Sequence, residues 1–294
     1  MLHCQPVRVG LVTPFSFERY GALWTDLLRA LGAEVMLPGA EAVLGAAERL
    51  APDQGLLPLL ARATLRALPD VDLVLAPQLL LERSEGPGAG QDPWVVDLPT
   101  MLARAEPGAP PIVGVPAQTG PAVEPMAMAL LTRIQRDAGR VRRAWEQHRV
   151  SALRPPRPKA VPAIRAGVRR VALAGAPWWC APGIAAALER PGEHLGGQPF
   201  VDPAELRSEG WRWRSDLVDS DAEALGAVRR FARRAEVDAV RLVLDPSSSA
   251  EGWLARRAAE LAGSRLELLP LSEALGLEAL LRATLPPDDA AAPP

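Results

Sequence analysis

The sequence predicts an α/β fold made of two Rossmann-like domains with parallel sheets, joined by a long helix and a linker rich in proline and arginine. The first observation is the stretch 7–15, an apolar strand that ends in small and turn-forming residues before an amphipathic helix. The second is the return of the same plan at 170–178. The third is a length of 294 residues, enough for two domains of ordinary size.

The first half of the chain predicts strands that alternate with helices. The first helix carries Leu23, Trp24 and Leu27 on one apolar stripe, and Gly32 is placed to end it. Together with the flanking strands it forms a βαβ unit, whose crossover should be right-handed. The strands are predicted at 7–12, 33–37, 71–76 and 112–115. Helical patterns lie at 40–68 with a break at 51–53, at 98–105 and at 121–150, and a long loop with glycines at 86–90 follows the third strand.

The second half repeats the scheme after a segment that proline keeps out of helix. We predict an N-terminal domain at 1–150, a linker at 151–168, a C-terminal domain at 169–285 and a disordered tail at 286–294. Strands are expected at 171–175, 198–201, 239–244 and 266–270. Helices are expected at 182–190, 222–235, 250–262 and 273–284. The alternating segment 211–214 is typical of an edge strand or a packing hinge.

Composition limits the partners and the compartment. The net charge of −2 gives no whole-protein field that would favour nucleic acid or a membrane, and no apolar run is long enough to span a bilayer. The first six residues have no signal-peptide pattern, so we expect a cytoplasmic protein. Two cysteines provide neither a disulfide framework nor a metal site by themselves, and we expect no cofactor. An excess of basic residues at 133–170 is interpreted as a solvated helix face and linker.

Ligands of open parallel sheets bind beyond the carboxyl ends of the strands, so the crevice between the two halves is the expected site. On this rule Tyr20 is a candidate ligand-binding residue, and so are Trp178 and Trp179 in the loop after the strand at 171–175. Asp245, Ser247 and Ser248 complete the candidates, because a polar loop before a helix can hold an anion. The tryptophans also suit a core or interdomain contact, and the Asp/Ser loop also suits a helix N-cap.

Known catalytic motifs are missing from the sequence. It contains no HExxH, GxSxG or Walker A pattern, and the glycines at 86–90 do not form a dinucleotide fingerprint. We therefore assign no catalytic residue and no metal ligand.

Several segments spread over most of 7–285 carry a family resemblance. They are VGLVTP at 9–14, Tyr20 with Trp24, LGAEV at 31–35, the pattern at 53–68, VDLVLAP at 71–77, Leu98 with Pro99, Trp213, VDAVRL at 237–242 and GLEAL at 276–280. In these the chain resembles the 2-hydroxyacyl-CoA dehydratase and activase-associated proteins, whose subunits bind a [4Fe-4S] cluster. The resemblance implies two Rossmann-like domains and a cluster site between them.

The chain departs from that family where the cluster ligands are expected. The resemblance places the three cysteines at Leu56, at Asp92 and within 245–249, and none of these positions is a cysteine here. Fe–S clusters are held by thiolates, so the resemblance implies a member without the cluster.

Two functions follow as expectations. The first is a non-catalytic binding or scaffold subunit, with a crevice for an anionic or acyl-CoA-like ligand and a protein partner from the same family. The alternative is a two-domain Rossmann enzyme such as a sugar-nucleotide transferase, for which the basic linker and the tryptophan loop argue.

Overall fold

The protein is described by a computed structural model that covers residues 6–50, 55–154 and 167–285. Two four-stranded sheets, all of whose strands are parallel, confirm the predicted α/β fold with two Rossmann-like domains. The strands are β1 Arg8–Leu11, β2 Glu34–Met36, β3 Leu73–Gln78, β4 Ile112–Pro116, β5 Arg169–Gly175, β6 Glu193–Gly197, β7 Ala239–Leu244 and β8 Leu266–Pro270. Their orders are β2-β1-β3-β4 and β6-β5-β7-β8, so each half has the same topology.

Helices connect the strands and cover both faces of each sheet. They are α1 Phe17–Ala30, α2 Ala40–Ala47, α3 Leu56–Ala67, α4 Pro93–Val96, α5 Leu98–Ala105, α6 Val123–Ile134, α7 Ala138–Leu153, α8 Pro182–Leu188, α9 Pro203–Trp213, α10 Asp219–Ala232, α11 Ser249–Ala262, α12 Leu271–Ala274 and α13 Leu277–Thr284. None of the helices in the described ranges is long and apolar enough to cross a bilayer.

Four predicted elements differ from the structure. The single helix expected at 273–284 is divided into α12 and α13, because the backbone is extended at Leu275 and Gly276. The strand expected at 198–201 is β6, which lies five residues earlier, and Gln198–Phe200 forms a short 3₁₀ turn instead. The single helix expected at 121–150 is divided into α6 and α7, because Asp137 caps a new helix by accepting the backbone N–H groups of Gly139 and Arg140. The segment 211–214 is the end of α9 and no edge strand, since Asp202 caps a helix that runs through it.

The predicted linker at 151–168 begins in the last residues of α7 and ends directly before β5. Helix α7 ends at Leu153 and β5 begins at Arg169, while residues 155–166 of the linker and the tail 286–294 lie outside the described residues.

The two domains meet at the carboxyl ends of their sheets. One apolar core runs across this interface, with Phe15 after β1 packing edge-on against Trp179 after β5 at a ring-centroid distance of 6.2 Å. Helix α13 also contacts both halves, since it packs on α8 and on α2. The interface therefore brings the strand-end loops of both sheets to one place, as the general rule for ligand sites in open parallel sheets requires.

Candidate ligand site between the two domains

A cavity of about 210 Å³ lies between the domains, beyond the carboxyl ends of β5 and β7. The N-terminal domain contributes the start of α3 and the segment 89–95, and the C-terminal domain contributes the loop after β5 and the start of α11. Its polar lining consists of carboxyl, amide and hydroxyl groups, from Gln91, Asp92, Asp221, Asp245, Ser247, Ser248, Ser249 and Glu251.

Asp245 ties the two domains together at the cavity wall. It follows β7 and is buried, and its Oδ2 accepts the backbone N–H of Leu56 from the other domain at 2.7 Å. Its Oδ1 accepts both the backbone N–H and the hydroxyl of Ser247, at 3.0 and 2.5 Å. Three hydrogen bonds from two domains therefore converge on this one carboxylate.

Glu251, in the first turn of α11, lies behind Asp245. Its carboxyl accepts the backbone N–H of Asp245 and the indole N–H of Trp179, the latter at 2.8 Å. Burial raises the pKa of Glu251 to about 8, and the nearby charges of Asp245 and Asp221 add to this effect. At neutral pH the Glu251 side chain is therefore mostly a carboxylic acid.

Asp221 reaches the cavity from the first turn of α10. Its Oδ2 accepts the backbone N–H of Ala89 at 3.1 Å, and burial raises its pKa to about 7. The contact needs glycine at position 88, which has a φ of +72° and where a Cβ would overlap Asp221 and the ring of Trp253. The glycine-containing loop is thus packed against the C-terminal domain.

The start of α10 holds the N-terminal domain with two further acids. Asp219 accepts three consecutive backbone N–H groups, from Leu81, Glu82 and Arg83, at 2.7–3.1 Å. Glu223 accepts a hydrogen bond from each of the two terminal nitrogens of Arg19, at 2.7 and 3.0 Å. Burial opposes the charge of Glu223, but the guanidinium of Arg19 outweighs it and lowers the pKa of Glu223.

The electrostatics of the cavity do not suit an anionic ligand. Four carboxyl groups line it, from Asp92, Asp221, Asp245 and Glu251, whereas no lysine, arginine or histidine among the described residues does. The loop before α11 offers its N–H groups to the protein's own acids, which fill the anion position that the sequence predicted there. The expected anionic or acyl-CoA-like ligand therefore finds no support in this cavity.

An Fe–S cluster does not fit these residues either. The lining of the cavity provides oxygen donors and no thiolate within the described ranges. Cys180 is buried near Gly175, and burial raises the pKa of its thiol well above the ordinary value. Over the described residues no group of three or more histidine, cysteine, aspartate or glutamate side chains is arranged to hold a metal ion.

The predicted site residues divide into three groups. Trp178, Asp245, Ser247 and Ser248 line the cavity. Trp179 lies behind it as an interdomain packing residue, and both tryptophans are buried rather than exposed. Tyr20 lies away from it in the core of the N-terminal domain, since it is on the buried face of α1 and does not line the cavity.

The three positions that resemble cluster ligands meet at this cavity. Asp92 and Ser247 line it directly. Leu56 lies at its edge, between the lining residues Gly55 and Leu57, and its backbone N–H binds the same carboxylate as Ser247.

Sequence reasoning missed Asp221 and Glu251. Both stand in the first turn of a helix, where acids are common because they complement the helix dipole. Nothing in the local sequence distinguishes Asp221 and Glu251, which line the cavity, from ordinary acids in the first turn of a helix.

The placement of Tyr20 predicts the result of one substitution. Its hydroxyl donates to the backbone oxygen of Val12 at 2.8 Å in a buried setting, so Tyr20→Phe should lower the free energy of unfolding by about 1 kcal/mol. Chemical denaturation measures this loss. Ligand binding in the interdomain cavity should be unchanged, and a binding defect with normal stability would contradict the placement.

No protein-family model and no curated protein matches the chain.

Proposed function

We propose that this chain is a non-catalytic binding subunit, a cluster-less relative of the 2-hydroxyacyl-CoA dehydratase subunits. In place of the cluster, its interdomain cavity binds a small molecule that carries hydrogen-bond donors, an amine in preference to an anion. One observation supports the proposal. Leu56, Asp92 and Ser247, which stand where the resemblance places the cluster cysteines, lie together at one cavity whose polar groups are mainly oxygen atoms.

The ligand class follows from the charges and donors of the lining. The Asp245 carboxylate accepts three hydrogen bonds, and Asp221 is close to half ionised at pH 7 because its pKa is about 7. A cation in the cavity would favour the ionised forms of Asp221 and Glu251, so its binding should release protons. Affinity for a cation should therefore rise as the pH rises from 6 to 9.

Three four-carbon probes test the ligand class, because they differ mainly in charge. We expect 1,4-diaminobutane to raise the melting temperature of the protein, and 1,4-butanediol and succinate to do so less or not at all. Isothermal titration calorimetry at pH 6 and pH 9 should give the tighter binding at pH 9. Asp221→Asn should weaken the binding of the diamine and flatten its pH dependence, because the asparagine keeps an acceptor for Ala89 and loses the charge.

Asp26→Asn is the matched control, since Asp26 is exposed on α1. Stabilisation by succinate or acetyl-CoA instead of the diamine would contradict the proposed ligand class. Stabilisation by a nucleotide sugar such as UDP-glucose would favour the transferase alternative. Stoichiometric iron and sulfide in protein purified without oxygen would contradict the cluster-less assignment.

A further inference from the structure

A second cavity, of about 320 Å³, lies inside the C-terminal domain between the edge strand β6 and the end of α10. It is separate from the interdomain site and shares none of its lining residues. Its walls are largely apolar, and Ala172, Phe231 and Val237 on them are buried.

The cavity exists because small residues occupy the sheet where α10 passes over it. Ala172 on β5 pairs with Gly196 on β6, so both face α10, and a Cβ built on Gly196 would meet no atom within 4 Å. Beyond Gly196 the chain turns sharply at Gly197, which has a φ of +106° and leaves no room for a Cβ against Leu173. The short 3₁₀ helix after this turn ends at Phe200, which also lines the cavity.

The polar groups around this cavity are mainly cationic. Arg170, Arg230 and Arg234 line it, against the single acid Glu236. The Arg170 side chain has no ion pair within the described residues, although Arg230 binds Glu205 and Arg234 lies 3.8 Å from Glu236. His194 also lines the cavity, and its Nε2 is buried and has no hydrogen-bond partner among the residues that the structure describes. An unpaired buried polar atom is costly unless something binds it.

We propose that this cavity binds an amphipathic carboxylate, a short aliphatic fatty acid. The chain would lie on the apolar wall formed by Ala172, Phe231 and Val237. The carboxylate would accept from the arginines at the rim and from His194 Nε2, which supplies the partner that this atom lacks. Charge complementarity selects the anion over a neutral or cationic molecule with the same tail.

Calorimetric titration with octanoate, octanol and octylamine tests the proposal on the wild-type protein. Octanoate should bind saturably and at least about tenfold more tightly than either of the other two, a difference of about 1.4 kcal/mol. Arg170→Gln with Arg234→Gln should reduce that preference while the weak binding of octanol is retained. Equal binding of all three probes, or no saturable binding of octanoate at millimolar concentration, would overturn the proposal.

Gly196→Leu fills the cavity from its floor, where the structure leaves space for a side chain. It should weaken octanoate binding by about tenfold or more without lowering the melting temperature. Gly252→Leu is the matched control, because Gly252 is exposed on α11 and also has open space around its Cβ position. Undiminished octanoate binding by Gly196→Leu would place the ligand elsewhere and overturn the assignment, whatever the double arginine variant shows.

Discussion

Replacing Glu223 by alanine is expected to lower the free energy of unfolding by about 3–5 kcal/mol. The carboxylate is 2% exposed and neutralises Arg19, whose side chain is 11% exposed, across the domain interface. It also accepts a hydrogen bond from Gln198 Nε2 at 3.0 Å, and it lies 3.5 Å from Arg207. Removal of the acid leaves Arg207 with no carboxylate among the described residues and Arg19 with only Glu18, 3.9 Å away. A buried charge that is not compensated is among the most destabilising changes in a protein. Urea denaturation followed by circular dichroism measures the loss.

An exposed ion pair in the same chain provides the control. Glu278 pairs with Arg282 one turn along α13, and both side chains are about 60% exposed, so Glu278→Ala should cost less than about 0.5 kcal/mol. In a double-mutant cycle, Arg19→Met combined with Glu223→Gln should cost less than the sum of the two single changes. A loss below about 1 kcal/mol for Glu223→Ala would show that the interface does not depend on this pair.

Strands in the middle of a sheet could be predicted from the sequence, because they are buried and therefore consist of a run of apolar residues. The central strand β7 begins and ends where the pattern predicts, and the central strand β5 ends where it predicts. The edge strand β6 was misplaced because it contains Gly196 and Gly197, which have low strand propensity, whereas the apolar segment after it looks more strand-like. Pairing with β5 determines this strand, and that tertiary contact leaves no mark in the local pattern.

At the candidate site too, some residues could be located from the sequence and others could not. The carboxyl-end rule located Asp245 and Ser247 from the sequence, since both follow a recognisable buried strand. It failed for Tyr20, because the rule finds loops and strand ends but not the direction of a side chain, and this one points into the core. The alternation at 211–213 was a misleading strand signal, since a helix with a capping aspartate also tolerates two tryptophans separated by an arginine.

Two buried acids at the interdomain cavity make stability depend on pH. The folded-state pKa is raised to about 7 for Asp221 and about 8 for Glu251, above ordinary values of 3.8 and 4.5. Between the ordinary and the raised values the folded protein binds protons that the unfolded chain has released. The stabilisation is therefore complete below about pH 4 and is lost as the pH rises through 7 and 8. Each proton contributes a slope of about 1.4 kcal/mol per pH unit across its window.

Asp221→Asn should remove the contribution of Asp221 to the pH dependence of the free energy of unfolding. The asparagine oxygen still accepts the Ala89 N–H, so the variant should match the wild type near pH 4, where Asp221 is protonated in the folded protein and about half protonated in the unfolded chain. At pH 9, where the wild type must bury an ionised Asp221, the variant should be more stable by on the order of 2–4 kcal/mol. Urea denaturation at several pH values measures both curves, with exposed Asp26→Asn as the control that leaves the curve unchanged. A variant parallel to the wild type from pH 5 to 9 would mean that Asp221 is ionised in the folded protein throughout, and that solvent or a bound cation reaches the cavity.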